Sequence, residues 1–237
     1  MNVKPTVIAV ISTKDLRSFF ATPLAYLVGV PYTVLMGWYF YSSLVDTRSG
    51  ELQTYFSGLH FLLLLTAPLL TMRTIAEERR AGALEMVFVR PVRELEITFG
   101  KWIAAVAILI ILSYPLVPFL GVVLHLADPD VGILLAQLLG TGLLAALLVA
   151  VGIAASAAVE SQLVAAFSAF AVAMVQWFAD AGAGGIPNWV LRLAALRPRL
   201  VSFRYGVVSA EDGLFFVAWT LAWLFVANLL LTVARRR

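Results

Sequence analysis

The chain has 237 residues, of which 62% are hydrophobic and 13% charged, with a mean hydropathy of +0.94. Soluble domains average about 45–50% apolar and about 25% charged residues, so too few charges remain here to cover a water-facing surface; disorder, collagen, a coiled coil and an ordinary cytosolic enzyme are excluded. There is no cysteine, which removes disulfides, thiolate catalysis and cysteine-ligated metals, and the net charge of +3 must be judged by where the charges lie.

In chain order, residues 3–20 predict an amphipathic helix on the membrane surface, with a frayed terminus as the alternative. Val3, Val7, Val10 and Ile11 form one side, and Lys14 would have to snorkel from it. A cleavable signal is not expected, because Lys14, Asp15 and Arg17 directly follow a short apolar run. A helix needs about 20 apolar residues to cross a bilayer core. Six charge-free gaps are long enough, and they predict spans at about 22–45, 54–74, 100–124, 132–158, 162–180 and 213–234. The fold class is therefore an all-α polytopic membrane protein, a single transmembrane domain over 1–237. Pro68, Pro115 and Pro118 can kink spans two and three, and the small residues of span four, Gly140, Gly142 and Gly152 among them, permit close helix contact.

Two polar segments remain. Between spans two and three, an elbow over 75–97 is longer than a simple connection. At helical pitch Glu78 and Glu85 share a face with Gly82 beside them, and Leu84 and Phe88 form an apolar stripe. Pro91 ends that helix, and a short helix around Arg93–Ile97 leads into the third span at Lys101. A glycine inside a helix costs about 1 kcal/mol relative to alanine, so Gly82 reads as a notch for another backbone. The alternative is a solvated loop with a local Arg73–Glu77 pair. Before span six, the segment 181–212 predicts a short outer helix that starts at Pro187, carries Trp189, Leu193 and Leu196, and is stopped by Pro198. Its arginines read as headgroup anchors or as attractors of an anionic substrate.

Orientation follows from Lys and Arg. With both termini cytoplasmic, the inside segments hold Lys4, Lys14, Arg17, Arg73, Arg79, Arg80, Arg90, Arg93, Lys101 and Arg235–Arg237. The outside ones hold only Arg48, Arg192, Arg197, Arg199 and Arg204. That asymmetry accounts for the basic balance without nucleic acid. Away from their ends the spans hold no Asp, Glu, Lys or Arg, so a carboxylate-based proton or sodium relay is disfavoured. His60 and Gln176 read as pathway candidates or as interhelical hydrogen-bonding groups. His60 and His125 make no metal cluster, no nucleophile–base set appears, and there is no P-loop, so an enzyme is disfavoured and ATP chemistry would need another chain.

The run MRTIAEERRAGALEMVFVRPV (72–92) resembles the elbow signature of ABC transporter type 2 permeases, especially the gliding-motility-type branch. KDLRSFFATPLAY (14–26), SQLVAAF (161–167) and SFRYGVVSAEDGLFFVAWT (202–220) resemble other stretches of that branch. Ala83 departs from the family's usual Thr or Ser. The resemblance implies six spans, an N-terminal surface helix with Lys14, Asp15 and Arg17, and a cytoplasmic coupling helix. Glu77, Glu78, Arg79, Gly82, Leu84 and Glu85 would touch the ATPase, with Pro91 and Val92 closing the elbow. It also implies a second permease subunit, identical or paired, and separate ATP-binding subunits that carry ATP and Mg, with no cofactor on this chain. The setting would be the cytoplasmic (inner) membrane of a prokaryote, in contact with its lipids. A haem-exporter-type permease of cytochrome maturation and a mechanotransmission subunit without transported substrate are the alternatives.

Overall fold

The computed structural model describes residues 7–47, 52–82, 93–113, 115–126, 130–181 and 194–235. Every regular element among them is helical. They are α1 (Val7–Phe20), α2 (Pro23–Thr47), α3 (Gln53–Thr71), α4 (Ala76–Arg80), α5 (Glu94–Leu112), α6 (Leu116–Leu126), α7 (Val131–Ala158), α8 (Gln162–Phe178, extended by a 3-10 turn to Ala181), α9 (Arg197–Arg204) and α10 (Ala210–Arg235).

Five stretches are long and apolar enough to cross a membrane: Gln53–Arg80, Glu94–Leu112, Val131–Ala158, Gln162–Ala181 and Ala210–Arg235. The helix expected at 22–45 is present as α2, but its tyrosines, serines and glycines dilute it. It qualifies as a sixth span only together with α1, from which it is bent by 77°. Five to six candidate spans make the chain compatible with a multi-pass membrane protein.

The third expected span, 100–124, is corrected in two ways. No separate short helix precedes it, because α5 runs unbroken from Glu94, its start secured by the Arg93 N–H donating to Glu96 Oε2 (2.9 Å). It then stops at Leu112 and resumes as α6 at Leu116. Pro115 has no N–H to continue the ladder, and the Ser113 hydroxyl turns back to the Leu109 carbonyl (2.9 Å). Pro68, by contrast, is carried inside α3 without ending it.

Helix α7 is the centre of the bundle and packs against α3, α4, α5, α8, α9 and α10. Asp130 starts it by accepting from the Gly132 and Ile133 N–H groups at 2.7 and 3.4 Å. Its glycines set the spacing. A side chain at Gly152 would collide with Thr71 of α3, and one at Gly140 would lie 2.8 Å from Phe203 of α9. Gly142 has open space around it, so only part of the small-residue stripe is used for close contact. Buried apolar residues of α2, α3, α5, α7 and α10 form one continuous core.

Candidate functional site

One end of the bundle gathers α1, α4, the start of α5 and the end of α10. Its organising element is the turn from α3 into α4. This turn leaves backbone groups without helical partners, and a single side chain from α7 satisfies them. The Ser156 hydroxyl accepts from the N–H groups of Ile75 (3.1 Å) and Ala76 (3.0 Å) and donates to the Met72 carbonyl (3.2 Å). The turn is further stiffened by Arg73, which forks onto Glu77 with contacts of 2.6 and 2.9 Å. That bond is the main reason the Glu77 carboxyl lies below its ordinary value.

The expected glycine notch is corrected here. Helix α4 ends at Arg80, and Gly82 sits beyond it at φ +68°, the left-handed position where glycine commonly closes a helix. The Ala81 N–H donates to the Glu77 carbonyl (2.9 Å) and the Gly82 N–H to the Arg79 carbonyl (3.1 Å). Among the described residues no atom lies within 4 Å of where a Gly82 side chain would stand. Within the described residues it is the φ angle that calls for glycine. The expected continuation through Leu84, Glu85, Pro91 and Val92 lies outside the described residues.

Lys101 is corrected more deeply. Counted as an interfacial cation, it is instead only 3% exposed, on the second turn of α5. Its ammonium donates to the Thr74 carbonyl (2.6 Å), Glu78 Oε2 (2.9 Å) and Asp15 Oδ2 (3.3 Å). Those are three partners for three donors. Lys14 reaches the other Glu78 oxygen at 3.2 Å while remaining mostly exposed. The cluster is thus two cations and two carboxylates from three separate chain regions. Burial pushes the Glu78 carboxyl up, but Lys101 first and Lys14 second more than offset this, so it lies below its ordinary value.

The cluster also docks α1. Ile8, Ile11, Asp15, Leu16 and Phe19 face the bundle, while Val7 and Val10 are exposed. Of the apolar side expected at Val7, Val10 and Ile11, only Ile11 faces the bundle, and Lys14 pairs with Glu78. Gly100 makes the approach possible, since a side chain there would stand 3.0 Å from Ile11. Arg17 lies on the exposed side of α1. Helix α10 joins the same end through Arg235 Nη1 and Glu94 Oε1 at 2.7 Å. Between α1, the α3–α4 turn and α5 a cleft of about 280 Å³ remains. The charged cluster forms its roof, and Leu70, Ala104, Ala105 and Ile108 form its apolar floor.

The other sequence candidates lie at the opposite end. His60 of α3 is buried, with Nε2 2.9 Å from the Thr141 hydroxyl of α7. That hydroxyl donates to the Gln137 carbonyl at 2.7 Å, so it accepts from the histidine. Gln137 in turn donates to the Arg204 carbonyl (3.2 Å). Gln176 is buried, its backbone carbonyl accepts from the Leu196 N–H (3.1 Å), and its side-chain oxygen has no partner among the described residues. His60 and Gln176 are therefore not brought to the ion cluster. Pro198 lies in the first turn of α9, and the outer helix expected before it, with Pro187, Trp189 and Leu193, falls on residues outside those described.

Sequence reasoning missed Ser156 and the role of Lys101. The available signal was Lys101's place two residues inside a strongly apolar run, with Asp15 and Glu78 as carboxylates needing partners. Among the described residues no group of three metal-ligating side chains occurs. No protein-family model matches the chain, and no curated protein matches it.

Proposed function

We propose that the chain is the permease subunit of an ATP-binding cassette transporter, an exporter whose ATPase is a separate chain. It would act with a second permease subunit in the cytoplasmic membrane of a prokaryote, with six spans and both termini inside. The observation that carries this reading is the clamped elbow. The α3–α4 turn is tied to α7 by Ser156 and to α1 and α5 by Lys101, so a push on α4 moves several helices together. The resemblance of 72–92 to the permease elbow supports the same assignment. The residue roles then divide: Glu77 and Glu78 fasten the elbow, while Arg79, Arg80 and Gly82, with Leu84, Glu85, Pro91 and Val92 beyond them, meet the ATPase.

The test is to purify the tagged chain in mild detergent and identify what accompanies it. An ATP-binding subunit is expected, and R80E, at an exposed position, should lower its recovery and uncouple its hydrolysis. Intact chain recovered without any ATP-binding partner sinks the proposal. A second reading, a subunit that passes ATP-driven motion outward without carrying substrate, is favoured by His60 and Gln137 being engaged in cross-helix bonds. A vesicle transport assay separates the two.

A further inference from the structure

At the end opposite the ion cluster lies a second cleft of about 340 Å³, walled by His60, Trp177, Asp180, Arg197, Leu200 and Arg204. Its size falls in the range of small-ligand sites, about 300–1,000 Å³. Its walls are held in place from behind. Phe203 seats α9 over Gly140 of α7, Gln137 holds the Arg204 carbonyl, and Ser202 donates to Asp212 at 2.7 Å.

The three described arginines of this end are not equivalent. Arg199 is engaged: it has Asp212 at 3.4 Å, Glu211 at 3.7 Å and the Phe215 ring beneath it at 4.0 Å. Arg197 meets Asp180 only at 3.9 Å, beyond hydrogen-bond distance. Arg204 has no carboxylate among the described residues, and one of its nitrogens rests on the Ser57 hydroxyl at 3.1 Å. Among the described residues the cleft therefore holds two guanidiniums against one carboxylate, with most of their N–H groups uncommitted there. Guanidinium forks match the several oxygens of a phosphate. Exposed Val201 and Tyr205 on α9 and Phe178 on α8 give the surrounding surface an apolar character suited to a lipid.

We infer that this cleft is a binding site for a phosphate-bearing anion, with Arg197 and Arg204 as the phosphate ligands on a platform fixed by His60, Gln137 and Phe203. The source is a phospholipid headgroup or a free phosphate-bearing solute. The inference is independent of the permease reading, because it needs neither an ATPase nor an assigned orientation.

The test uses the full chain, purified in neutral detergent and stripped of lipid. Two probes are applied: phosphatidylglycerol, read by native mass spectrometry, and inorganic phosphate, read by titration calorimetry. Competition between the probes marks a shared phosphate site. Phosphatidylglycerol binding alone identifies the headgroup as the source, and phosphate binding alone identifies a solute. In each of these cases the double variant R197Q/R204Q should weaken binding about 10-fold or more, the loss expected when charge-assisted hydrogen bonds are removed. V201W, which narrows the cleft mouth from an exposed position and keeps every charge, should weaken it as well. It stands as the test should the double variant fail to fold. R93Q, at the other end of the bundle, is the control and should bind as the unaltered chain does. Binding of neither probe, or affinity unchanged in both R197Q/R204Q and V201W, overturns the inference.

Discussion

The two ends of the bundle treat charge in opposite ways. Around Lys101, two cations meet two carboxylates, and each ammonium donor of Lys101 has its own acceptor. In the cleft beside Arg204, two guanidiniums face one carboxylate among the described residues, and that ion pair is stretched to 3.9 Å. A buried charge that loses its partner is strongly destabilising, so the first arrangement behaves as a joint. An excess of half-exposed cations is tolerated by solvent and is available to a ligand, so the second behaves as a receptor. Composition alone does not distinguish them, since both gather cations and carboxylates at helix ends.

Stability measurements can break or sharpen that contrast. The largest effect belongs to K101M. It leaves partly buried Asp15 without its cation and Glu78 with only the exposed Lys14, and a loss of about 3–5 kcal/mol is expected. Thermal unfolding in detergent reads it, and a stability equal to that of the unaltered chain would mean that the joint is not one. S156A comes next. It keeps every charge but removes the acceptor of two backbone N–H groups, which should lower stability by about 1–3 kcal/mol. Hydrogen exchange at Ile75 and Ala76 should rise while the far end keeps its protection. The smallest effect is that of K14M, whose side chain is 65% exposed. Pairs of that kind contribute about 0–1 kcal/mol, so a change well above this would extend the joint outward onto α1.

The architecture was legible where one physical rule acts alone. Apolar length locates α3, α7, α8 and α10 close to their observed limits, because lipid-scale helices leave long gaps between charges. The reading faltered where a second rule intervened. Counting each charge as a boundary placed Lys101 at the surface, but a partner 86 residues away lets it enter the helix. Counting helical faces put Gly82 inside a helix, but the turn after Arg80 needs a positive φ that glycine meets most readily. Pro115 was recognised as a kink and proves to be a full break, because it has no N–H to carry the helical ladder on. At the candidate site the carboxylates Asp15 and Glu78 were singled out, but not the Lys101 pairing that ties them together. That lysine, and the serine that holds the turn, come from helices that the local pattern does not connect to them.

The Ser156 hydroxyl also sets an order of assembly. Its three contacts reach back some eighty residues along the chain. As the polypeptide emerges, the α3–α4 turn waits with unsatisfied N–H groups while α5, α6 and nearly all of α7 are synthesised. Only the last turn of α7 delivers the acceptor. The end of the molecule that carries α4 is therefore completed late, once most of the bundle is present. An interrupted chain lacking α7 would display a loose elbow that quality-control proteases could recognise.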